Sequence, residues 1–204
     1  MHIAEGVLSL PVLGACAGLS AAGLTLGLRR LDESKMPLNA LLGAAFFIAS
    51  TVHVPVGVGS VHLVLNGLAG LLLGWSVFPL FFVALLLQAA LFSFGGFMVL
   101  GANLLTMAVP AVLCHLLLAP WLSDTPGNRR LICIGAGCGL LGVGGAALIA
   151  SLLLTLSGGR LFDHLIGLLV LSHVPVFIVD ALISALTLVL LWRMLPGVLR
   201  EARP

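Results

Sequence analysis

Long apolar runs, separated by short stretches that hold nearly all of the charge, dominate this sequence of 204 residues. About 20 consecutive apolar residues suffice for a helix to cross a bilayer. Charged residues make up 8% of the chain, whereas a soluble domain carries about 25%. A soluble protein could not cover its surface with so few polar groups. The sequence therefore predicts an all-α integral membrane protein, formed as a single transmembrane domain.

Seven apolar segments are predicted to cross the membrane. They cover roughly residues 7–28, 37–54, 62–76, 77–97, 104–122, 131–157 and 164–193. The third is short and contains Asn66, and the last is too long for one straight crossing and contains Pro175. In short or broken segments the backbone can leave the helix to line a site. The connection at residues 76/77 carries no charge, which leaves a count of six helices as an alternative.

The positions of the basic residues predict the orientation. With the N-terminus outside and seven crossings, eight of the nine Lys and Arg residues fall inside, and Arg160 falls outside. The positive-inside rule favours this orientation and a cytoplasmic C-terminus. The residues before Val7 include Glu5 but no Lys or Arg, so no signal peptide is expected. We expect a multi-pass protein of the bacterial or archaeal cytoplasmic (inner) membrane.

Two pairs of glycines have the spacing of helix-packing motifs. Gly14 and Gly18 form one pair, and Gly135 and Gly139 form the other. Such small residues let helices approach closely in lipid, either within one bundle or against a partner subunit. The sequence shows no basic patch interleaved with aromatic residues, so no nucleic-acid partner is expected.

The first two residues have the chemistry of a transition-metal site. Met1 is expected to be retained, because the residue after it is bulky. The Met1 amine, the deprotonated amide of His2 and the His2 imidazole are then three nitrogen donors that can close fused chelate rings. They leave one in-plane position on a square-planar ion, a geometry typical of Ni²⁺ or Cu²⁺ that low-spin Co²⁺ can also adopt. The alternative is a solvated N-terminus whose second residue is His by chance.

A histidine on the same side of the membrane should supply the fourth nitrogen. His62 is the first candidate, because it follows a glycine-rich stretch, GVGSV, that is predicted to lie on the side of the N-terminus. His53 is nearby. Either could instead be a structural histidine near the membrane interface.

The last apolar segment contains a carboxylate, Asp180, which needs a partner inside the membrane. An unpaired carboxylate there costs about 2.5–3.5 kcal/mol on insertion scales. Asp180 could orient an imidazole that binds the metal, or it could pair with a polar group for structure alone. His173 lies in the same segment, and the sequence HVPV occurs both at residue 53 and at residue 173.

These residues, together with several longer motifs, resemble the CbiM/NikM family. Its members are the cobalt- and nickel-specific substrate-binding membrane subunits (S components) of energy-coupling-factor transporters. The resemblance covers about residues 1–185. It is carried by Met1–Gly6 (MHIAEG), Gly57–Gly70 (GVGSVHLVLNGLAG), Gly95-Gly96 with Leu100–Asn103 (LGAN), and His173–Val176 (HVPV) followed by Asp180.

The resemblance implies a seven-helix subunit whose Met1 amine, His2 amide and ring, and His62 ring bind the ion. Candidate residues around these ligands are His53, Asn66, Asn103, His173 and Asp180. The sequence departs from the family pattern in three places: the loop reads GVGSVH, the late acid is Asp180 where Glu is common, and His53 stands where another residue is expected. These departures leave the metal preference open.

The resemblance also implies partners: a transmembrane coupling (T) subunit, two cytoplasmic ATPases and often a small accessory membrane subunit. The chain has no Walker A sequence, so we expect a non-catalytic subunit with no cofactor, whose transported ligand is Ni²⁺ or Co²⁺. A stand-alone secondary metal permease is the alternative. A membrane metalloprotease would need HExxH or an equivalent set of ligands and base, which the sequence lacks.

Overall fold

A computed structural model of the protein describes residues 2–51, 53–56, 59–159 and 163–203, with the backbone alone for 53–56 and 59–62. Met1 and Arg160 lie outside the described residues. The elements in chain order are β1 (His2–Ile3), α1 (Leu10–Arg29), α2 (Met36–Thr51), β2 (His53–Val56), β3 (Gly59–His62), α3 (Asn66–Leu73), α4 (Val77–Phe92), α5 (Leu100–Leu118), α6 (Asn128–Gly158), α7 (Asp163–Met194) and α8 (Pro196–Glu201).

Each predicted apolar segment overlaps one of the helices α1–α7, and the protein is a multi-pass helical membrane protein. Within the described parts of the chain, five helical stretches are long and apolar enough to cross a bilayer: Leu10–Arg29, Asn66–Phe92, Leu100–Trp121, Asn128–Gly158 and Asp163–Met194. The second of these joins α3 and α4 through a short 3₁₀ turn, Gly74–Ser76. Pro175 was expected to break the last segment, but α7 continues through it.

A small antiparallel sheet is the main departure from the predicted all-α fold. Its strand order is β1-β3-β2. The predicted segment 37–54 leaves the helix after Thr51, and the segment 62–76 begins in a strand and becomes helical only at Asn66. The local apolar pattern cannot reveal this, because a short apolar run suits a buried strand as well as a helix.

The helix α3 runs parallel to α5 and fills only part of the bundle's height. The amide of Asn66 donates to the carbonyl of Met107 over 3.1 Å, Gly70 faces the backbone of Ala111, and Gly74 faces the ring of His115. These three pairs keep one sequence offset, as two helices running in the same sense must. The β2–β3 hairpin precedes α3 and occupies the rest of that height.

Contacts between distant residues define the two ends of the bundle. At one end, called here the N-terminal end, the amide of Glu5 donates to the carbonyl of Gly95 and the amide of Ser9 donates to the hydroxyl of Ser157. At the other, the basic end, the Lys35 ammonium donates to the carbonyl of Glu201.

Further contacts at the basic end involve arginines. The guanidinium of Arg30 lies 5.7 Å from the centre of the Trp75 ring. Arg203 pairs with Asp124 at 2.6 Å, and this hydrogen bond and charge lower the pKa of the Asp124 carboxyl. The two ends of the bundle therefore differ sharply in charge.

The two glycine pairs have different surroundings. Gly135 and Gly139 on α6 face the backbone of α7 at Ala185 and Ala181, with no room for a Cβ. Gly14 and Gly18 on α1 have nothing within 4 Å of the position that a Cβ would take. The first pair therefore packs two helices inside the bundle, whereas the second lies on an open face.

Replacing Gly135 by Ala should destabilise the protein, because the added methyl would press on the α7 backbone; overpacking of this kind costs about 1–3 kcal/mol. Gly18→Ala is the matched control and should leave stability unchanged or raise it by up to about 1 kcal/mol, because Ala favours helix over Gly. Thermal unfolding of both variants in detergent checks this. Equal loss in the two variants would contradict the packing described for α6 and α7.

Candidate metal centre

The N-terminal segment, His2–Gly6, folds back into the bundle as the edge strand of the sheet. In the β1–β3 ladder, His2 lies opposite Ser60 and Ile3 lies opposite Gly59. The side-chain amide of Asn103 contacts the backbone of Ile3 twice. Its Oδ1 accepts from the Ile3 N–H over 2.8 Å and its Nδ2 donates to the Ile3 carbonyl over 3.1 Å. Asn103 thus binds Ile3 as a neighbouring strand would, at the first turn of α5.

Two glycines let the segment approach the loop between α4 and α5. The Glu5 amide donates to the Gly95 carbonyl over 3.1 Å, and the Met98 amide donates to Glu5 Oε1 over 3.0 Å. A Cβ on Gly96 would overlap the Glu5 side chain, and one on Gly95 would lie 2.6 Å from Asn103 Nδ2. Both glycines also have positive φ, +74° and +129°, which side-chain-bearing residues rarely adopt. The Gly-Gly pair is therefore needed for the N-terminal segment to dock.

The imidazole of His2 is buried, with 4% of the residue exposed, and its orientation is set by Gln88. The Ser50 hydroxyl donates to the Phe47 carbonyl, so its oxygen accepts from Gln88 Nε2. The Gln88 Oε1 then faces His2 Nε2 at 2.7 Å. Because an amide oxygen only accepts, Nε2 must be the protonated nitrogen. A neutral His2 ring therefore has its lone pair on Nδ1, the nitrogen nearer the backbone.

Gln88 is a site residue that the sequence prediction missed. Its side chain is fully buried and joins His2 to Ser50 across α4 and α2. The signal was present, because an amide in the middle of the apolar segment 77–97 meets the same criterion that selected Asn66 and Asp180.

Asp180, fully buried on α7, binds the backbone where the hairpin ends. Its Oδ2 accepts from the N–H groups of Val64 at 3.0 Å and Leu65 at 2.8 Å, and Ser184 lies 3.5 Å from Oδ1. Leu65 has a positive φ of 52°. Asp180 therefore holds the chain immediately after His62, at the start of α3.

Three other polar residues of the helices, Asn66, His173 and His115, donate to backbone carbonyls. The amide of Asn66 donates to the carbonyls of Met107 and Gly142, and so joins α3 to α5 and α6. His173 is 1% exposed, and its Nδ1 donates to the Leu169 carbonyl over 2.6 Å. Like it, His115 donates from Nδ1 to a backbone carbonyl, that of Leu71.

The side chains of His53 and His62, like Met1, lie outside the described residues, but the backbone fixes their places on the sheet. His53 lies directly opposite His62 in the β2–β3 ladder. His62 follows Ser60, the partner of His2, by two residues on β3. Side chains of the described residues form no group of three or more His, Cys, Asp or Glu that could hold an ion.

Comparison with known proteins settles the family. The model of CbiM, described as the cobalt uptake substrate-specific transmembrane region, matches residues 2–198. The chain belongs to the CbiM family. The motifs from Gly57 to Asp180 that carried the resemblance fall within this match, as does the opening from His2 onward, and the predicted family is confirmed.

Several relatives of this CbiM-family chain are described as metal transport proteins. A putative metal transport protein of Haemophilus influenzae is 53% identical over 201 residues, which is 98% of each chain. Cobalt transport protein CbiM of Geobacter sulfurreducens is 32% identical over 98% of this chain and 62% of its own length. The fused nickel transport protein NikMN of Rhodobacter capsulatus is 35% identical over 74% of this chain and 46% of its own length.

Solved structures agree with this family assignment. A crystal structure of a truncated transition metal transporter superposes with a TM-score of 0.80 at 25% identity, over 95% of this chain and 99% of that one. A second transition metal transporter gives the same TM-score at 26% identity.

Removing the Asn103 amide should loosen the N-terminal segment. In Asn103→Ala the Ile3 N–H and carbonyl lose hydrogen bonds worth about 0.5–1.5 kcal/mol each, so the Ile3 amide should exchange with deuterium about tenfold faster. Hydrogen exchange followed by mass spectrometry of the N-terminal peptide measures this. Asn39→Ala, whose amide binds the Lys35 carbonyl at the basic end, is the control and should leave the peptide's exchange unchanged. Unaltered exchange in Asn103→Ala would show that Asn103 does not hold the segment.

Proposed function

We propose that this chain is the substrate-capture subunit of an energy-coupling-factor importer for Ni²⁺ or Co²⁺. The ion would bind to the Met1 amine, to the amide and Nδ1 of His2, and to the ring of His62. The observation that carries the proposal is the buried His2 ring, whose Nε2 donates to Gln88. This is the arrangement expected of a metal-binding imidazole, whose second nitrogen donates to an oxygen that orients it.

The sheet register supports His62 as the fourth donor. Residues directly opposite in an antiparallel ladder share a face, and so do residues two apart on one strand. His2 lies opposite Ser60, so His62 belongs to the same face as His2 and is its diagonal neighbour. Diagonal neighbours are about 7–8 Å apart and their Cβ atoms somewhat less, a separation that two imidazoles binding one ion can bridge. Because β1 runs antiparallel to β3, the chain before His2 leads toward the His62 end of β3.

The proposed orientation has seven crossings with the N-terminal end outside. Support comes from the opposite end of the bundle, where contacts of Lys35, Arg30 and Arg203 gather basic residues, as the cytoplasmic side requires. In this proposal the third crossing consists of the β2–β3 hairpin followed by the half-length helix α3. The capture site then lies at the outer face and the coupling subunit and ATPases act from the inner side.

A blocked N-terminus should destroy the site. Adding Gly-Ser-Gly before Met1 places further peptide bonds between the free amine and His2, so the proposed chelate cannot form. We expect Ni²⁺ or Co²⁺ affinity of the purified protein to fall by more than about 100-fold, the upper end of what losing a merely supporting group costs. Isothermal titration measures the affinity. An extension by one residue would be unsuitable, because it makes His2 the third residue of the chain. An amine, two amides and the imidazole of a third residue can themselves bind Ni²⁺.

The same Gly-Ser-Gly addition at the C-terminus is the control and should leave the affinity unchanged. Equal affinity in the N-terminally extended and parent proteins would refute the site. The better-bound ion in the parent identifies the substrate.

A transport assay distinguishes the importer from a stand-alone secondary permease. In proteoliposomes, uptake of ⁶³Ni or ⁵⁷Co should require a coupling subunit, both ATPases and ATP. The chain alone should bind the ion without accumulating it. Accumulation by the chain alone, driven by a proton or sodium gradient, would favour the permease.

A further inference from the structure

The imidazole of His173 has one nitrogen whose role the described contacts leave open. Its Nδ1 faces the carbonyl of Leu169 at 2.6 Å. Since a carbonyl only accepts, Nδ1 must carry the proton, and Nε2 of the neutral ring must carry a lone pair. This Nε2 is buried and has no hydrogen-bond partner within the described part of the chain. Buried polar atoms normally have partners. Nε2 is therefore an acceptor that a donor from outside the described residues could satisfy.

His173 lies on the same side of Asp180 as the sheet. Asp180 lies seven residues further along the same buried face of α7, two helical turns or about 10.5 Å toward the basic end. The carboxylate of Asp180 contacts the N–H of Val64. Val61 on β3 is three residues before Val64, so at most about 11 Å of chain separates the two. Both Val61 and His173 thus lie within about 11 Å of the level of Asp180, on the side away from the basic end.

The helix α7 also packs directly on both strands of the hairpin, β2 and β3. With the ring 1% exposed, the Nε2 atom of His173 faces the protein interior. The acceptor therefore lies on a helix that contacts the strand carrying His62.

A metal-bound amine in a buried site needs hydrogen-bond acceptors. Once its lone pair binds the ion, a primary amine still carries two N–H groups, and leaving them without acceptors costs free energy. In the proposed site the Met1 amine and His62 bind the ion beside the hairpin that α7 contacts. Asp180 Oδ2 already accepts from Val64 and Leu65, and the Asn103 side chain is bound to both backbone groups of Ile3, whereas Nε2 of His173 has no partner among the described residues.

We propose that His173 is the positioning residue for the N-terminal amine: its Nε2 accepts a hydrogen bond from the metal-bound amine of Met1 and so orients that amine's lone pair toward the ion. The inference rests on the proposed N-terminal chelate. The proposed hydrogen bond requires the observed tautomer of His173, because only a neutral ring protonated on Nδ1 can accept at Nε2. No bond to the ion is required of His173.

Two substitutions separate this role from packing. His173→Leu removes the acceptor and should weaken Ni²⁺ or Co²⁺ binding by about 10- to 100-fold, the usual effect of losing a group that orients a ligand. His173→Gln restores an acceptor oxygen and should recover affinity to within about threefold of the parent. His164→Leu, an exposed histidine on the same helix, is the control and should bind as the parent does. Isothermal titration gives the affinities, and thermal unfolding without metal confirms that the variants fold.

The outcomes keep the two proposals apart. If the Gly-Ser-Gly extension abolishes binding but His173→Leu binds like the parent, the N-terminal chelate stands and the role of His173 is refuted. If Leu and Gln at residue 173 weaken binding equally, packing rather than hydrogen bonding is responsible, and the proposal is refuted. If the extension leaves the affinity unchanged, the chelate itself fails. A loss in His173→Leu with recovery in His173→Gln, and folding equal in both, establishes the positioning role.

Discussion

The hydrogen bonds from the Val64 and Leu65 amides to the Asp180 carboxylate make the rest of this architecture possible. Amide groups that precede a helix have no partner within it, and in a membrane no water can replace one. Asp180 supplies that partner in the interior of the bundle, and the two amides in turn provide hydrogen-bond donors for its buried carboxyl group. The chain can therefore change from strand to helix at Asn66 with the Val64 and Leu65 amides hydrogen-bonded, and α3 fills only the part of the bundle next to the basic end.

The sheet forms in the part of the bundle that α3 does not fill, and the N-terminal segment supplies its edge strand β1. A strand at the edge of a sheet exposes unpaired backbone groups. Asn103 removes this problem at Ile3 by binding its N–H and its carbonyl together. Gly95 and Gly96 provide the close approach that Glu5 requires. Polar residues that look isolated in the sequence thus bind backbone groups, and this fixes the short N-terminal segment beside the hairpin.

The apolar segments could be predicted because each is a local property of the chain. All seven overlap a helix, and the family resemblance was confirmed over residues 2–198. The sheet could not be predicted in this way, because strands β1 and β3 are more than 50 residues apart in sequence and pair only in the folded chain. Gln88 was overlooked for a related reason: one amide in an apolar helix has no local partner, and its contact with His2 spans 86 residues.

The sequence by itself determined a helical membrane protein and the charge difference between the ends of the bundle, since composition and local spacing are enough for both. Only the tertiary structure decided what the intramembrane polar residues do. Asp180 binds the backbone after His62, Asn66 joins three helices, and Asn103 holds Ile3. Their partners lie 41 to 116 residues away, and such pairings follow from the packing of the bundle rather than from any pattern along the chain.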